Sequence, residues 1–307
     1  MTFAARDLAK SSAFFIAMRL LATELTAMFD ENPRLMSIFA SHQRWLMAQL
    51  GLSLHYRRDP NDPAKGLYAG RFVAAAVEHG IASRNTAAAF IQEMLAYRFA
   101  RHSDNPPDNR MRPLEPTDVA VQSVVKWLYA HLAILDHLDG GARSAKLAEE
   151  PALFARLQPA IAQGILESPQ VRNPGETFNL FTWANSGGVV MDGFIAMIDD
   201  FDPQAPRTLV GPISSADICQ RYMISQTHLK RLMRKAAGMG SLGFETTAGR
   251  NTLWLSQGFV EEYLIYQAEK FAIIDAVFHD RVSTAGQRAD SSSLRTADAL
   301  AKSIWPA

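Results

Sequence analysis

Only one cysteine, Cys219, stands among the 307 residues, so neither an internal disulfide framework nor a cysteine-based zinc site is open to this chain. Excess charge is missing as well. The 31 basic and 31 acidic residues cancel, which argues against a protein that coats nucleic acid without sequence preference and leaves room for local basic surfaces. No stretch reads as the roughly 18 continuous apolar residues of a membrane span. Lys10 and Arg19 interrupt the apolar N-terminus where a signal peptide would run unbroken. These absences predict a cytoplasmic protein with no membrane partner. Catalytic signatures are lacking too: there is no glycine-rich phosphate loop, no GxSxG elbow and no HExxH spacing. Asp199, Asp200 and Asp202 offer metal-binding oxygens, but they close a helix before Pro203, with no histidine or glutamate at ligand spacing. The expectation is a non-enzyme with no metal and no cofactor.

What is present is an ordinary globular composition, 48% apolar and 20% charged, over a length that can bury two cores. The informative stretch is 214–256. Ser214 or Ser215 is placed to cap a short helix, with Asp217 in its first turn. Ile218, Cys219 and Tyr222 give that helix an apolar side, which predicts an inert, buried thiol rather than an oxidation sensor. After the break at Met223-Ile224, Ser225 caps a second helix, whose Leu229, Leu232, Met233 and Ala236 form a buried stripe. Its other side carries Gln226, Thr227, His228, Lys230, Arg231, Arg234 and Lys235. Polar hydrogen-bonding residues lead and cations follow. That order suits a helix whose first turns reach base edges in a major groove while later cations neutralise phosphates. Gly238 and Gly240 end the helix, and Leu242, Phe244 and Thr246 alternate against Leu253 and Leu255 around a turn at 247–250. Arg250 lies at this hairpin tip, within reach of a minor groove or a phosphate.

A degenerate copy precedes it. An Ala-rich helix over 67–79, the turn Gly80-Ile81-Ala82-Ser83, and a helix over 84–99 lead into the polar loop 101–113 and a long helix reaching about 137. Gly-Ile-Ala-Ser matches Met-Ile-Ser, and MRPLEPT (111–117) matches NTLWLSQ (251–257). Arg84, Asn85 and Thr86 take the leading positions of this helix, and Arg110 and Arg112 belong to its hairpin. The copy carries fewer cations and a Pro-rich loop that disfavours strands.

Elsewhere helices are expected over 3–29, from Pro33 through Leu50, over 151–166, over 177–201 with a soft centre at Ser186-Gly187-Gly188, and over 257–279. The aromatics of the last one, Phe259, Tyr263, Tyr266, Phe271 and Phe278, predict packing against another helix, in this chain or a second. Trp45/Met47 and Trp183/Met191 read equally as a ligand pocket or as core. The organisation expected is 1–140 (helices and the first unit), 141–280 (linking helices and the second unit) and a mobile tail over 281–307, with a short helix near 294–305.

This order of helix, turn, helix, hairpin and long helix resembles the MarR-type (multiple antibiotic resistance regulator) winged-helix transcription factors, by pattern over most of the chain rather than by a diagnostic motif. The resemblance implies a mainly α fold with small β-hairpin wings: tandem winged helix-turn-helix domains joined by long packing helices, in effect a dimer fused in one chain. It further implies double-stranded DNA as partner, read as a pseudo-palindrome with unequal half-sites. Gln226, Thr227, His228, Lys230 and Arg231 would read one groove, Arg250 would be the wing tip, and Arg84, Asn85 and Thr86 would lead the other recognition helix. The acting species would be a monomeric pseudo-dimer or a homodimer, and any small-molecule effector is unknown. A replication-initiator-like protein, which is commonly more basic, and a winged-helix interaction module that does not read DNA are the alternatives.

Overall fold

The computed structural model describes residues 2–59, 61–62, 65–104, 112–247 and 250–285. It is mainly helical, 68% helix, with two small antiparallel sheets, and it divides into two compact units. The first is formed chiefly by 46–168 and the described residues from 273, the second by 3–45 and 169–272.

The chain opens on α1 (Ala5–Lys10) and α2 (Ser12–Glu31). Extended backbone at Ser11 divides what the sequence pattern joins over 3–29. Helix α2 buries Phe14, Phe15, Met18, Leu21, Ala22 and Phe29 and leaves Ile16 and Leu20 exposed. By length and composition it is apolar enough to cross a membrane, with a mean hydropathy of 1.4, although its apolar run is not unbroken. Its buried stripe is what a core helix shows. The segment after Pro33 is likewise two helices. Asn32 caps α3 (Pro33–Ser37) by accepting from the Leu35 N–H, and α4 (His42–Tyr56) starts afresh.

In the first unit α5 (Ala69–Glu78) and α6 (Arg84–Ala96) are followed by β1 (Ala100–His102), β2 (Leu114–Pro116) and α7 (Asp118–Asp139). The two strands pair antiparallel with Arg101 opposite Glu115. Strands flank the Pro-rich loop nonetheless: Pro113 lies outside the ladder, and Pro116 stands at its end, opposite Ala100. Helix α8 (Arg143–Glu149), invisible to periodicity because it is short, is nucleated by Asp136: its carboxylate accepts from the Arg143 and Ser144 N–H groups, both at 2.8 Å. Helix α9 (Leu153–Glu167) follows and buries Leu157, Ile161 and Ile165.

The second unit continues with α10 (Pro169–Arg172), α11 (Glu176–Thr182) and α12 (Gly187–Ala196). The single helix expected over 177–201 is thus broken. Ser186 sits in the left-handed region at φ 59°, and Gly187 lies so close to the Phe181 carbonyl that a Cβ would fall 2.0 Å from it. Glycine is required there. Strand β3 (Arg207–Pro212), which the sequence reading passes over, precedes α13 (Ser215–Arg221), α14 (Gln226–Gly238), β4 (Leu242–Thr247), β5 (Arg250–Ser256) and α15 (Gln257–Ala285). The sheet order is β3-β5-β4, with Leu209 opposite Trp254 and Leu242 opposite Leu255. Leu253 and Leu255 are fully buried, but Phe244 is 47% exposed, so the hairpin's apolar alternation stops short of its tip. Residues 281–285, expected in the tail, belong to α15. The rest of the tail, with 294–305, lies outside the described residues.

The two units share one hydrogen-bonding order. The left-handed residues Arg98 (φ 59°) and Gly240 (φ 70°) follow α6 and α14. The next residue bonds back in each: Phe99 N–H to the Met94 carbonyl at 2.8 Å, and Ser241 N–H to Ala236 at 3.0 Å. Thr117 and Ser256, where the long helices begin, donate to Phe99 and Ser241, both at 2.9 Å. Leu114 N–H donates to the Leu67 carbonyl at 2.8 Å, a single-residue counterpart of the β3–β5 ladder. These pairs bring Leu114 into correspondence with Leu253, one residue from the match that the sequences alone suggest.

Candidate functional site

Helix α14 begins at Ser225, whose Oγ accepts from the His228 N–H at 3.2 Å, and α13 begins at Ser214, whose Oγ accepts from Asp217 N–H at 3.2 Å. Leu229, Leu232 and Ala236 are buried and turn the opposite side outward. Met233, expected in the same stripe, is half-buried. Ser225, Gln226, Thr227, Lys230, Arg231, Arg234 and Lys235 are all exposed, and His228 is half-buried. No acidic residue occurs in the helix. Among the described residues, Lys230, Arg234 and Lys235 have no ion-pair partner, and the only hydrogen-bond contact of Arg231 is His228 Nδ1 at 3.5 Å.

Three arginines elsewhere in the same unit are, by contrast, engaged. Arg221 of α13 forks onto Asp30 at 2.7–3.1 Å, Arg19 reaches Asp199, and Arg207 lies 4.1 Å over the Trp254 ring. The basic face of α14 is therefore left available in a chain of zero net charge. Arg250 opens β5 opposite Thr247, at the end of the ladder.

In the first unit Ser83 Oγ accepts from the Thr86 N–H at 3.2 Å and meets Thr86 Oγ1 at 2.9 Å. Arg84, Asn85 and Thr86 are exposed in the first turn of α6, with Thr86 partly spent on the cap. The hairpin cation Arg101 is neutralised by Asp104 and by Glu115, the latter at 3.3 Å. Arg112 is exposed, and Arg110 lies outside the described residues. Fewer free cations converge here than on α14.

The chain matches no protein-family model, no curated protein and no solved structure.

Two further arrangements escape the sequence reading. Beside α14, a groove of about 480 Å³ is lined by Asn179, Trp183, Asn185, His228, Arg231 and Lys235. Of the clusters read as pocket or core, Trp183 lines this groove at 41% exposure, whereas Met47 and Met191 are core and Trp45 stacks on His42. The second is a polar knot inside the unit. Tyr263 donates to Asp192 at 2.8 Å, and Lys270 lies 5.2 Å over the Tyr266 ring. Burial pushes Asp192 up, opposed by the Tyr263 hydrogen bond and the Lys270 charge, and pushes Lys270 down, opposed by the Asp192 charge. Burial also takes His42 down to about 4, helped by Lys270 and Arg172 and opposed by its bond to Val171. Lys270, four residues after Tyr266 and seven after Tyr263, was the visible signal: a cation on the buried stripe of α15. Cys219, expected to be buried, is half-buried, since only Ile218 of α13 points fully inward.

Proposed function

We propose that this protein is a sequence-specific, DNA-binding transcriptional regulator of the cytoplasm, built as tandem MarR-like winged helix-turn-helix domains. The supporting observation is the basic face of α14. Among the described residues, four cations stand exposed and without acidic partners on a helix that is capped at a tight turn and followed by a hairpin. In a major groove, Gln226, Thr227 and His228 would meet base edges, and Lys230, Arg231, Arg234 and Lys235 would meet phosphates. The β4–β5 hairpin is the wing in this reading, with Arg250 at its tip. Strand order β3-β5-β4 and the helix pair between β3 and β4 support it.

The first unit contributes less. With Arg101 neutralised and Arg84 the only cation of α6, it serves as a weak second half-site or as scaffold. The operator is then an imperfect palindrome with unequal halves.

Genome-wide immunoprecipitation of the tagged protein tests this reading. The expected result is a compact, asymmetric motif near promoters. Enrichment confined to one replication origin would instead favour an initiator, and no enrichment would favour an interaction module.

A further inference from the structure

We infer that the groove between α11 and α14 is a binding site for a nucleoside monophosphate, an aromatic base carrying a phosphate. Its about 480 Å³ falls within the roughly 300–1,000 Å³ range of small-molecule sites. Its lining divides by chemistry. Trp183 presents an indole that is 41% exposed and is braced from behind by the His42 ring, edge-on at 5.6 Å. A ring held in place by packing offers a stacking surface at little entropic cost. Asn179 and Asn185 supply primary amides, each both donor and acceptor, which suits the hydrogen-bonding edge of a base. Among the described residues the Oδ1 of Asn179 is buried with no partner, so turning that amide toward a ligand gives up no bond to them.

Along the opposite wall, Arg231 and Lys235 bring two positive charges and His228 an imidazole, and among the described residues no carboxylate lines the groove. Cations without a counter-charge, facing an aromatic ring across one small cavity, match an anion that carries a ring better than either a neutral aromatic or a bare ion. The bound phosphate would occupy Arg231, Lys235 and His228, which the proposed function assigns to DNA. Occupancy would then compete with DNA binding. The site stands on the groove alone; the competition rests on the DNA-reading role of α14.

The test is calorimetric titration of the full chain with adenosine monophosphate, uridine monophosphate, adenosine and inorganic phosphate. Adenosine monophosphate is expected to bind at least ten-fold tighter than adenosine or phosphate alone. Trp183→Leu, at an exposed position, should weaken the nucleotide at least ten-fold and leave phosphate unchanged, while Lys235→Ala should weaken both. No heat at millimolar nucleotide, or the same affinity in wild type and both variants, overturns the site. Added nucleotide should also lower affinity for a promoter fragment. Nucleotide binding that leaves the DNA affinity unchanged overturns the competition but not the site. A chain that binds nucleotide and no DNA sinks the regulator reading alone.

Discussion

Ser83 and Ser225, 142 residues apart, make the same bond: each hydroxyl accepts from the N–H three residues on, at 3.2 Å, and starts the second helix of its pair. The hydroxyl satisfies a donor that the helix cannot. Ser225→Ala should therefore cost about 1 kcal/mol, and Ser225→Gly only a few tenths. Urea denaturation of the two variants checks the order. Equal losses would mean that the Ser225 cap bond contributes nothing specific.

Tyr222 lies across Gly193, where an added Cβ would fall 2.4 Å from its hydroxyl oxygen. That contact fixes the end of α13 on α12. Tyr222 is buried and sits edge-on to Phe29 at 5.9 Å, so it has little room to retreat. Gly193→Ala should destabilise by about 1–3 kcal/mol through overpacking, despite the better helix propensity of alanine. A melting temperature at or above that of wild type would contradict the contact.

Arg143 is buried among Asp139 (2.7 Å), Asp275 (2.8 Å) and Asp136 (3.3 Å). Its side chain joins α7, α8 and the end of α15 within the first unit. Asp275 is fully buried, so Arg143→Ala takes the guanidinium from a carboxylate held away from water, leaving the His279 ring at 3.4 Å beside it. Removing one partner of a buried pair costs about 3–5 kcal/mol. Equilibrium denaturation should show a loss of that size, and Arg143→Lys should recover only part of it, because an ammonium cannot fork onto several carboxylates.

His42 carries the pH prediction. Its ring is buried against Trp45, Trp183 and Tyr266, and its pKa falls from 6.5 to about 4, first through burial and then through the charges of Lys270 and Arg172. Between these values the unfolded chain binds a proton that the folded chain refuses. Stability therefore declines as pH falls from 6.5 toward 4, by up to about 3 kcal/mol for a shift of that size. His42→Phe should flatten the dependence in that window. A slope unchanged by the substitution would assign the acid sensitivity to other groups.

Much of the second unit is legible in the sequence because its signals are local. Ser225, the stripe Leu229-Leu232-Ala236 and Gly240 mark α14 without reference to anything distant, and the alternation from Leu242 to Leu255 marks the hairpin. What escapes depends on particular contacts rather than on a repeating pattern. Strand β3 shows only Thr208 and Val210 as inward residues, and it is defined by pairing with β5, 40 to 49 residues later. The break at Ser186 is set by the approach of Gly187 to Phe181, which no periodicity reports. Helix α8 depends on Asp136 reaching forward to its first N–H groups. The groove beside α14 is illegible for the same reason: Asn179 and Trp183 come from one local pattern and Arg231 and Lys235 from another, and only the fold brings them together.

The most direct test of the DNA-reading account is the salt dependence of binding to a recovered promoter fragment, for wild type and for Lys230→Ala/Arg231→Ala. Every phosphate that goes unneutralised should lower the slope of log K against log salt by about 0.9. The account predicts weaker binding and a slope reduced by about two for the double variant, with unfolding curves unchanged because both side chains are exposed. Identical slopes and affinities in the two proteins would contradict it.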